Sequence, residues 1–296
     1  MVLPLNKNLL FVKREDLLHP FISGNKYRKL KYNLIEAKKQ NKNTLLTFGG
    51  AYSNHITAVA AAGNEFNFKT IGVIRGEELA RSKFLNPTLQ FAKQQGMDLH
   101  FITRREYKNK TTSTFINDLK KKIGDFYLIP EGGTNALAIK GCEEILSQTD
   151  KKFDYVCTAV GTGGTIAGLV KSSNKNQTII GFSALKGIFQ TSEIAKHTAK
   201  KNYFITDKYC LGGYAKINEE LINFINEFKQ KTGIPLDPVY TGKMMFGIFD
   251  MLKNNYFPEN SRILAIHTGG LQGRQGMNDF IKKKRGENIK FPLIDI

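Results

Sequence analysis

Short apolar runs alternate along the chain with longer stretches in which apolar residues recur every three or four positions. Thr44 to Phe48 predicts a strand entering Gly49-Gly50, and His55 to Ala62 an alanine-rich helix ending near Gly63. Thr70 to Ile74 predicts a second strand, Leu89 to Gln95 a helix stopped by Gly96, and Leu99 to Ile102 a third strand. Phe126 to Ile129 predicts a fourth, running into Pro130-Glu131-Gly132-Gly133. The same grammar returns later. Tyr155 to Val160 enters Gly161-Thr162-Gly163-Gly164-Thr165, Thr178 to Phe182 follows, and Ile263 to His267 enters Thr268-Gly269-Gly270. Strand–helix alternation of this kind predicts parallel sheets with helices on both faces. No internal repeat or long linker interrupts it. The expected fold is therefore α/β, with two lobes, each a mainly parallel twisted sheet flanked by helices. The cleft between them would take a ligand beyond the carboxyl ends of the strands.

Length and composition narrow the function. The 296 residues suffice for one large or two medium domains, and a hydrophobic fraction of 41% supports packed cores. No apolar run approaches the roughly 20 residues of a membrane span. Lys7, Lys13 and Arg14 break up any apolar leader, so a cytoplasmic location is expected. Cys142, Cys157 and Cys210 are scattered, without metal or redox spacing, and are expected to be buried thiols. A net charge of +18 raises the question of nucleic acid. The lysines, however, fall in short runs such as Lys120-Lys121-Lys122 and Lys282-Lys283-Lys284-Arg285, near predicted helix ends. Neither aromatic–basic interleaving nor a helix-turn-helix pattern accompanies them. No nucleic-acid partner and no membrane partner are expected, and the charge suits an anionic ligand equally well.

Chemistry concentrates in the glycine turns. Ser23-Gly24-Asn25-Lys26-Tyr27-Arg28-Lys29 presents a lysine in a small-residue turn at a helix start. Gly24 is expected to turn the backbone tightly and to leave space for a flat ligand. A lysine placed this way can be desolvated, lose its proton and attack an aldehyde, whereas the plainer reading is a solvated basic helix face. Gly161 to Thr165 follows an apolar strand and opens the helix Ile166 to Val170. Converging backbone N–H groups, a helix N-terminus and threonine hydroxyls form a cradle suited to phosphate. The segment is neither a P-loop nor a clean G-x-G-x-x-G. In Gly49 to His55, Ser53 and Asn54 occupy a predicted helix N-cap, where such residues often only cap. Their alternative roles are proton transfer and ligand binding. His55 reads as a packed or partly exposed residue rather than a base. Thr268-Gly269-Gly270 and Glu131 to Asn135 read first as plain strand-to-helix turns. Asp237-Pro238-Val239-Tyr240-Thr241 leads into a helix whose Met244, Met245, Ile248 and Phe249 read as core. Tyr240 is placed to stack on an aromatic cofactor, and Thr241 to meet a ring nitrogen.

Taken in order, these segments resemble the fold-type II pyridoxal-phosphate enzymes, which share the tryptophan synthase β architecture. More closely, they resemble the group of 1-aminocyclopropane-1-carboxylate deaminases and D-cysteine desulfhydrases. The matching segments are Lys13 to Asp16, Gly24 to Leu30, Gly49 to His55, Glu131 to Asn135, Gly161 to Gly168, Asp237 to Lys243 and His267 to Gly270. The resemblance implies a large cofactor-binding domain of residues 1–35 and 137–296, with a small domain of residues 36–136 inserted in it. It implies pyridoxal 5'-phosphate carried on Lys26 as a Schiff base, with Lys29 near the phosphate and Asn54 beside the pyridine 3-hydroxyl. Gly161, Thr162, Gly163, Gly164 and Thr165 match the phosphate loop. Ser53 matches the serine beside the substrate, and Tyr240 the tyrosine facing the ring. Tyr214 matches a second active-site tyrosine, although Ala215-Lys216 depart from the pattern there. Thr268 belongs to the cofactor-binding set, no metal is implied, and relatives are typically homodimers.

Thr241 separates the branches. Deaminases that open the cyclopropane usually carry Glu there, which keeps the pyridine nitrogen protonated. A neutral threonine suits α-proton removal coupled to loss of a β-substituent, releasing pyruvate and ammonia from a small amino acid. The alternatives are cyclopropane deamination to 2-oxobutanoate and ammonia, or cofactor binding without turnover.

Overall fold

The computed structural model describes residues 2–5, 7–81, 85–285 and 292–295. Among these described residues, ten strands make two sheets. The larger has six strands in the order β1-β2-β10-β7-β8-β9, formed by Val2–Leu5, Asn8–Lys13, Arg262–Ile266, Tyr155–Val160, Thr178–Ser183 and Tyr203–Thr206. The smaller has four, in the order β5-β4-β3-β6, formed by Met97–Ile102, Lys69–Arg75, Thr44–Gly49 and Tyr127–Ile129. Every pairing is parallel except that of β1 with β2. The inner strands β3, β7 and β8 are buried at five consecutive positions each. That is the mark of strands covered on both faces, and it explains why they read as unbroken apolar runs.

The small sheet is covered by α1 (Asn25–Lys39), α2 (Asn54–Phe66) and α3 (Pro87–Gln94) on one face. The short α4 (Arg104–Tyr107) and α5 (Ser113–Ile123) pack on the other. The large sheet carries α6 (Ala136–Glu143), α7 (Gly164–Ser172) and the short α8 (Gln190–Ala195) on one side. Helices α9 (Glu219–Thr232), α10 (Thr241–Lys253) and α11 (Gly273–Arg285) lie on the other. Among the described residues no helix is long and apolar enough to cross a membrane. All three cysteines are buried and free, as expected.

Two expectations are corrected, the helix stop at Gly63 and the open space beside Gly24. Helix α2 does not stop near Gly63 but runs on to Phe66 and ends at Asn67 in the left-handed region. Gly63 is there for packing: a Cβ on it would lie 2.1 Å from Cγ2 of Thr70 on β4. The domain boundary at residue 35 falls inside α1, and the one at residue 136 falls on the first residue of α6. Helix α1 buries Leu30, Leu34 and Ala37 in the core of the small sheet. Each buried leucine there contributes roughly 1.5–3 kcal/mol of transfer free energy. Finally, the space beside Gly24 is taken by protein. A Cβ on Gly24 would lie 2.0 Å from the carbonyl oxygen of Thr268.

Helix α6 locks two helices that carry the site. A Cβ on Gly141 would lie 1.9 Å from the Arg28 carbonyl oxygen of α1, and one on Gly168 of α7 would lie 2.5 Å from the Cys142 Cβ. Backbones in such contact are close-packed and cannot slide without a clash. The N-termini of α1 and α7 are thereby fixed relative to each other.

Candidate active site

A cavity of about 570 Å³ opens where the carboxyl ends of both sheets meet. Strand β3 contributes the turn Gly50 to Asn54, β4 contributes Arg75, β7 contributes Val160 to Gly163, and β10 contributes Thr268 to Gly270. Asn25, Lys26 and Lys29 enter from the start of α1, and Tyr214 and Tyr240 close the opposite side. Parallel strands all end on one side, so this convergence follows from the topology.

Lys26 sits at the second position of α1, half-buried, with Nζ 3.2 Å from Oδ1 of Asn25. Burial, and after it the charge of Lys29, lower its pKa to about 7. A sizeable share of Lys26 is therefore free amine near neutral pH, the form that attacks a carbonyl. The backbone entry depends on Gly24, at φ +62°, and on the bond from the Asn25 N–H to the Thr268 carbonyl at 3.2 Å. The Lys13-Arg14-Glu15-Asp16 segment fastens this entry from below. Buried Glu15 accepts two hydrogen bonds from Arg28, at 2.8 and 3.0 Å. Asp16 accepts two from Arg14 and lies 3.2 Å from Nδ1 of His267, while Lys13 pairs with Asp150. These charges are scaffold, and none lines the cavity.

The glycine turn after β7 is an anion cradle in form. Gly163 caps α7 at φ +92°, a conformation L side chains rarely adopt. The N–H groups of the helix's first turn have no partners within the helix and point the positive end of the dipole outward. Thr162 Oγ1 lies 2.5 Å from Thr134 Oγ1, and Thr165 Oγ1 accepts from Asn25 Nδ2 at 2.8 Å. Lys29 is 2% exposed and donates to the Gly132 carbonyl at 2.8 Å and to Thr134 Oγ1 at 3.3 Å. Its Nζ would be 3.2 Å from a Cβ on Gly164, so its charge stands at the cradle's rim. Gly161 leaves room for Tyr240, whose ring would be 3.3 Å from an added Cβ.

Ser53 caps α2, its Oγ accepting from the Ile56 N–H at 3.4 Å, and it also lines the cavity. Capping uses only the oxygen and leaves the hydroxyl proton to the cavity. The Asn54 side-chain amide lines the cavity with no hydrogen-bond partner among the described residues. His55 is packed as expected: Nε2 lies 2.9 Å from Thr47 Oγ1, which donates to the Ile129 carbonyl. Burial and the two lysine charges hold its pKa well below the usual histidine value, so it is neutral. The Tyr214 and Tyr240 rings meet edge to face with centroids 6.2 Å apart. Burial raises the Tyr240 phenol well above its ordinary pKa, so it is a proton donor throughout the physiological range.

Two of the expected cofactor contacts lie behind the cavity wall. Gly164 and Thr241 are buried and are not among the lining residues. The Thr241 hydroxyl donates to Asp237 Oδ1 at 2.7 Å and accepts from the Asp237 N–H at 2.9 Å. Asp237, read from the sequence only as part of an extended entry, is the hub of this turn. Its carboxylate also accepts from the N–H groups of Val239, Tyr240 and Thr241. An aspartate four residues before the first helical position was the available signal for such a cap. Conversely, the Thr268 and Glu131 turns, read first as plain, both reach the cavity. Arg75, Glu78 and Arg104 line it too, unforeseen. Arg75 ends β4, and the rule that ligands bind beyond the carboxyl ends of strands pointed to that position.

A lysine that is partly free amine near neutral pH, facing an anion cradle, meets the needs of a carbonyl cofactor with a phosphate handle, and so defines an enzyme of the cofactor-on-lysine class. The family description "Pyridoxal-phosphate dependent enzyme" matches residues 3–269. A bifunctional D-cysteine desulfhydrase/1-aminocyclopropane-1-carboxylate deaminase of Arabidopsis thaliana is 32% identical, covering 90% of this chain and 74% of that protein. A protein from Thermotoga maritima named putative 1-aminocyclopropane-1-carboxylate deaminase is also 32% identical, over 89% of each chain. The crystal structure of a 1-aminocyclopropane-1-carboxylate deaminase homologue superposes with a TM-score of 0.80 at 28% identity, covering 93% of this chain and 88% of that one. The chain belongs to the 1-aminocyclopropane-1-carboxylate deaminase/D-cysteine desulfhydrase family of pyridoxal-phosphate-dependent enzymes. The residues present fit the cofactor: the cradle offers donors for a phosphate, and Lys26 offers an amine.

Proposed function

We propose that the protein removes the α-proton of a small amino acid and expels its β-substituent, in the manner of a D-cysteine desulfhydrase. Gly161 to Thr165 and Lys29 would hold the cofactor phosphate, Asn54 its 3-hydroxyl, and Tyr240 would lie beside its ring. When bound, the cofactor supplies the sink for the electron pair left at the α-carbon. Lys26 would first carry the cofactor and then, as a free amine, take the α-proton at Nζ. General acid–base assistance of this kind contributes roughly 10²–10⁴-fold. Ser53 would bind the substrate carboxylate or pass a proton. Tyr214 and Tyr240 would give a proton to the leaving group. The β-substituent departs with its bonding pair, and water converts the released enamine to pyruvate and ammonia.

The observation that carries this preference is the chemistry at position 241. Thr241 is neutral, and its hydroxyl proton is already committed to Asp237. It supplies no charge to hold a ring nitrogen protonated, and opening an unactivated cyclopropane asks more of the electron sink than expelling a thiolate or chloride. Ring opening of 1-aminocyclopropane-1-carboxylate is the second reading, favoured by the names of several relatives. Release of 2-oxo acid from D-cysteine, L-cysteine, D-serine, 3-chloro-D-alanine and 1-aminocyclopropane-1-carboxylate decides between them. A β-substituted alanine is expected to turn over faster than the cyclopropane, and the opposite order would overturn the argument from Thr241.

A further inference from the structure

Lys243 is a buried ammonium outside the cavity wall. It lies on α10, three residues after Tyr240, and is 2% exposed. Its Nζ donates to two backbone carbonyls, Cys210 at 2.7 Å and Gly213 at 2.8 Å. Those carbonyls belong to the turn that presents Tyr214. That turn is strained: Leu211, Gly212, Gly213 and Ala215 all have positive φ, at +54°, +88°, +124° and +55°. Leucine and alanine pay an energetic penalty for this backbone, and such a conformation persists only where its surroundings enforce it. Within the turn, only the bonds from the Gly213 N–H to the Cys210 carbonyl and from the Lys216 N–H to the Gly213 carbonyl hold it internally. The same two carbonyls are the ones Lys243 grips. Burying a charged amine is costly, and a core-facing methionine would fit a helix such as α10 without that cost.

We propose that Lys243 is a positioning residue that fixes Tyr214 against Tyr240. One helix start then sets both tyrosines, Tyr240 directly and Tyr214 through the ammonium. Burial lowers the pKa of Lys243 to about 8, yet a neutral amine keeps two N–H donors, so the grip survives deprotonation. The proposal rests on the reading of Tyr214 as an active-site group, and the test separates the two.

Amide hydrogen exchange on the full chain compares the wild type with Lys243→Met. Exchange across residues 210–216 is expected to quicken at least roughly tenfold, a change confined to that segment because the surrounding packing is intact. Unchanged exchange there, or quickening spread over α1 and α7, would overturn the proposal. In the loaded enzyme with 3-chloro-D-alanine, Lys243→Met is expected to lower kcat/KM by roughly 10–100-fold, the scale of a small misplacement of a catalytic group. In a Tyr214→Phe background the same substitution should add little. An equal loss in both backgrounds would assign Lys243 a role unrelated to Tyr214. A Tyr214→Phe enzyme with wild-type turnover would remove Tyr214 from the chemistry, while the exchange result would still decide the anchoring.

Discussion

Lys26→Ala is expected to abolish turnover, by at least roughly 10⁴-fold, the upper end of what general acid–base assistance alone contributes. Reconstitution with pyridoxal phosphate and borohydride reduction should then leave no mass adduct on the peptide spanning residue 26, where the wild type carries one. An adduct on another lysine of the wild type, with Lys26 unmodified, would refute the role of Lys26. The lowered pKa makes the expectation sharper. Modification of the cofactor-free protein by pyridoxal phosphate should accelerate as pH rises and reach half its plateau at about 7, where Lys26 loses its proton. Lys29 supplies part of that depression, so Lys29→Met should move the midpoint upward. The linkage to folding has a definite sign. Between about pH 7 and the model-peptide value of 10.5 the unfolded chain holds a proton at Lys26 that the folded chain does not. Stability therefore rises with pH across that window as far as this group is concerned.

Gly24→Ala should be among the most damaging single-atom additions in the molecule. The residue has φ +62° and ψ −134°, a conformation open in practice only to glycine. The added Cβ would also stand 2.0 Å from the Thr268 carbonyl oxygen, inside any permissible contact. Backbone strain and overpacking together are expected to cost about 3–5 kcal/mol. Thermal unfolding followed by circular dichroism should show a fall of roughly 6–15 °C. Cofactor uptake should weaken in parallel, because Thr268 lines the cavity and Lys26 is two residues away. Gly96→Ala is the control. Gly96 also has positive φ, at +84°, but an added Cβ would meet nothing within 4 Å, so only about 1–2 kcal/mol of backbone strain remains. Equal losses in the two variants would show that the contact with Thr268 carries no weight.

Much of this architecture was legible because parallel α/β folds write their strands as apolar runs and their ligand sites as the turns that follow. Tyr155 to Val160 and the turn to Thr165 were readable from end to end, since burial on both faces leaves Thr158 as the one small polar residue in an otherwise apolar strand. The cavity-facing positions of Lys26, Ser53, Asn54 and Tyr240 were legible because each starts or caps a helix, Ser53 and Asn54 directly after strand β3. What could not be read was contact at long range. That Thr268 fills the space beside Gly24 depends on a pairing across most of the chain, and no local pattern announces it. Thr241 was read as meeting a ring nitrogen, but its hydroxyl is turned toward Asp237. Lys243 entered the sequence reading only as the end of the segment Asp237 to Lys243, with no role of its own. Its burial follows from the strained turn opposite, which itself shows in the sequence only as Gly212-Gly213. Helix α2 overran Gly63 because tight packing on β4 favours glycine there for its size rather than as a stop.

Strand β2 enters the large sheet between β1 and β10, and β10 is the last strand among the described residues. The entry to α1 likewise leans on the carbonyl of Thr268. On the ribosome, Lys26 therefore emerges well before the partners that hold its helix. Until then it is an ordinary solvated lysine, charged at cellular pH and slow toward aldehydes. The sheet order acts as a timer: the amine becomes reactive only when β10 and the Thr268 turn have been synthesised and closed around it.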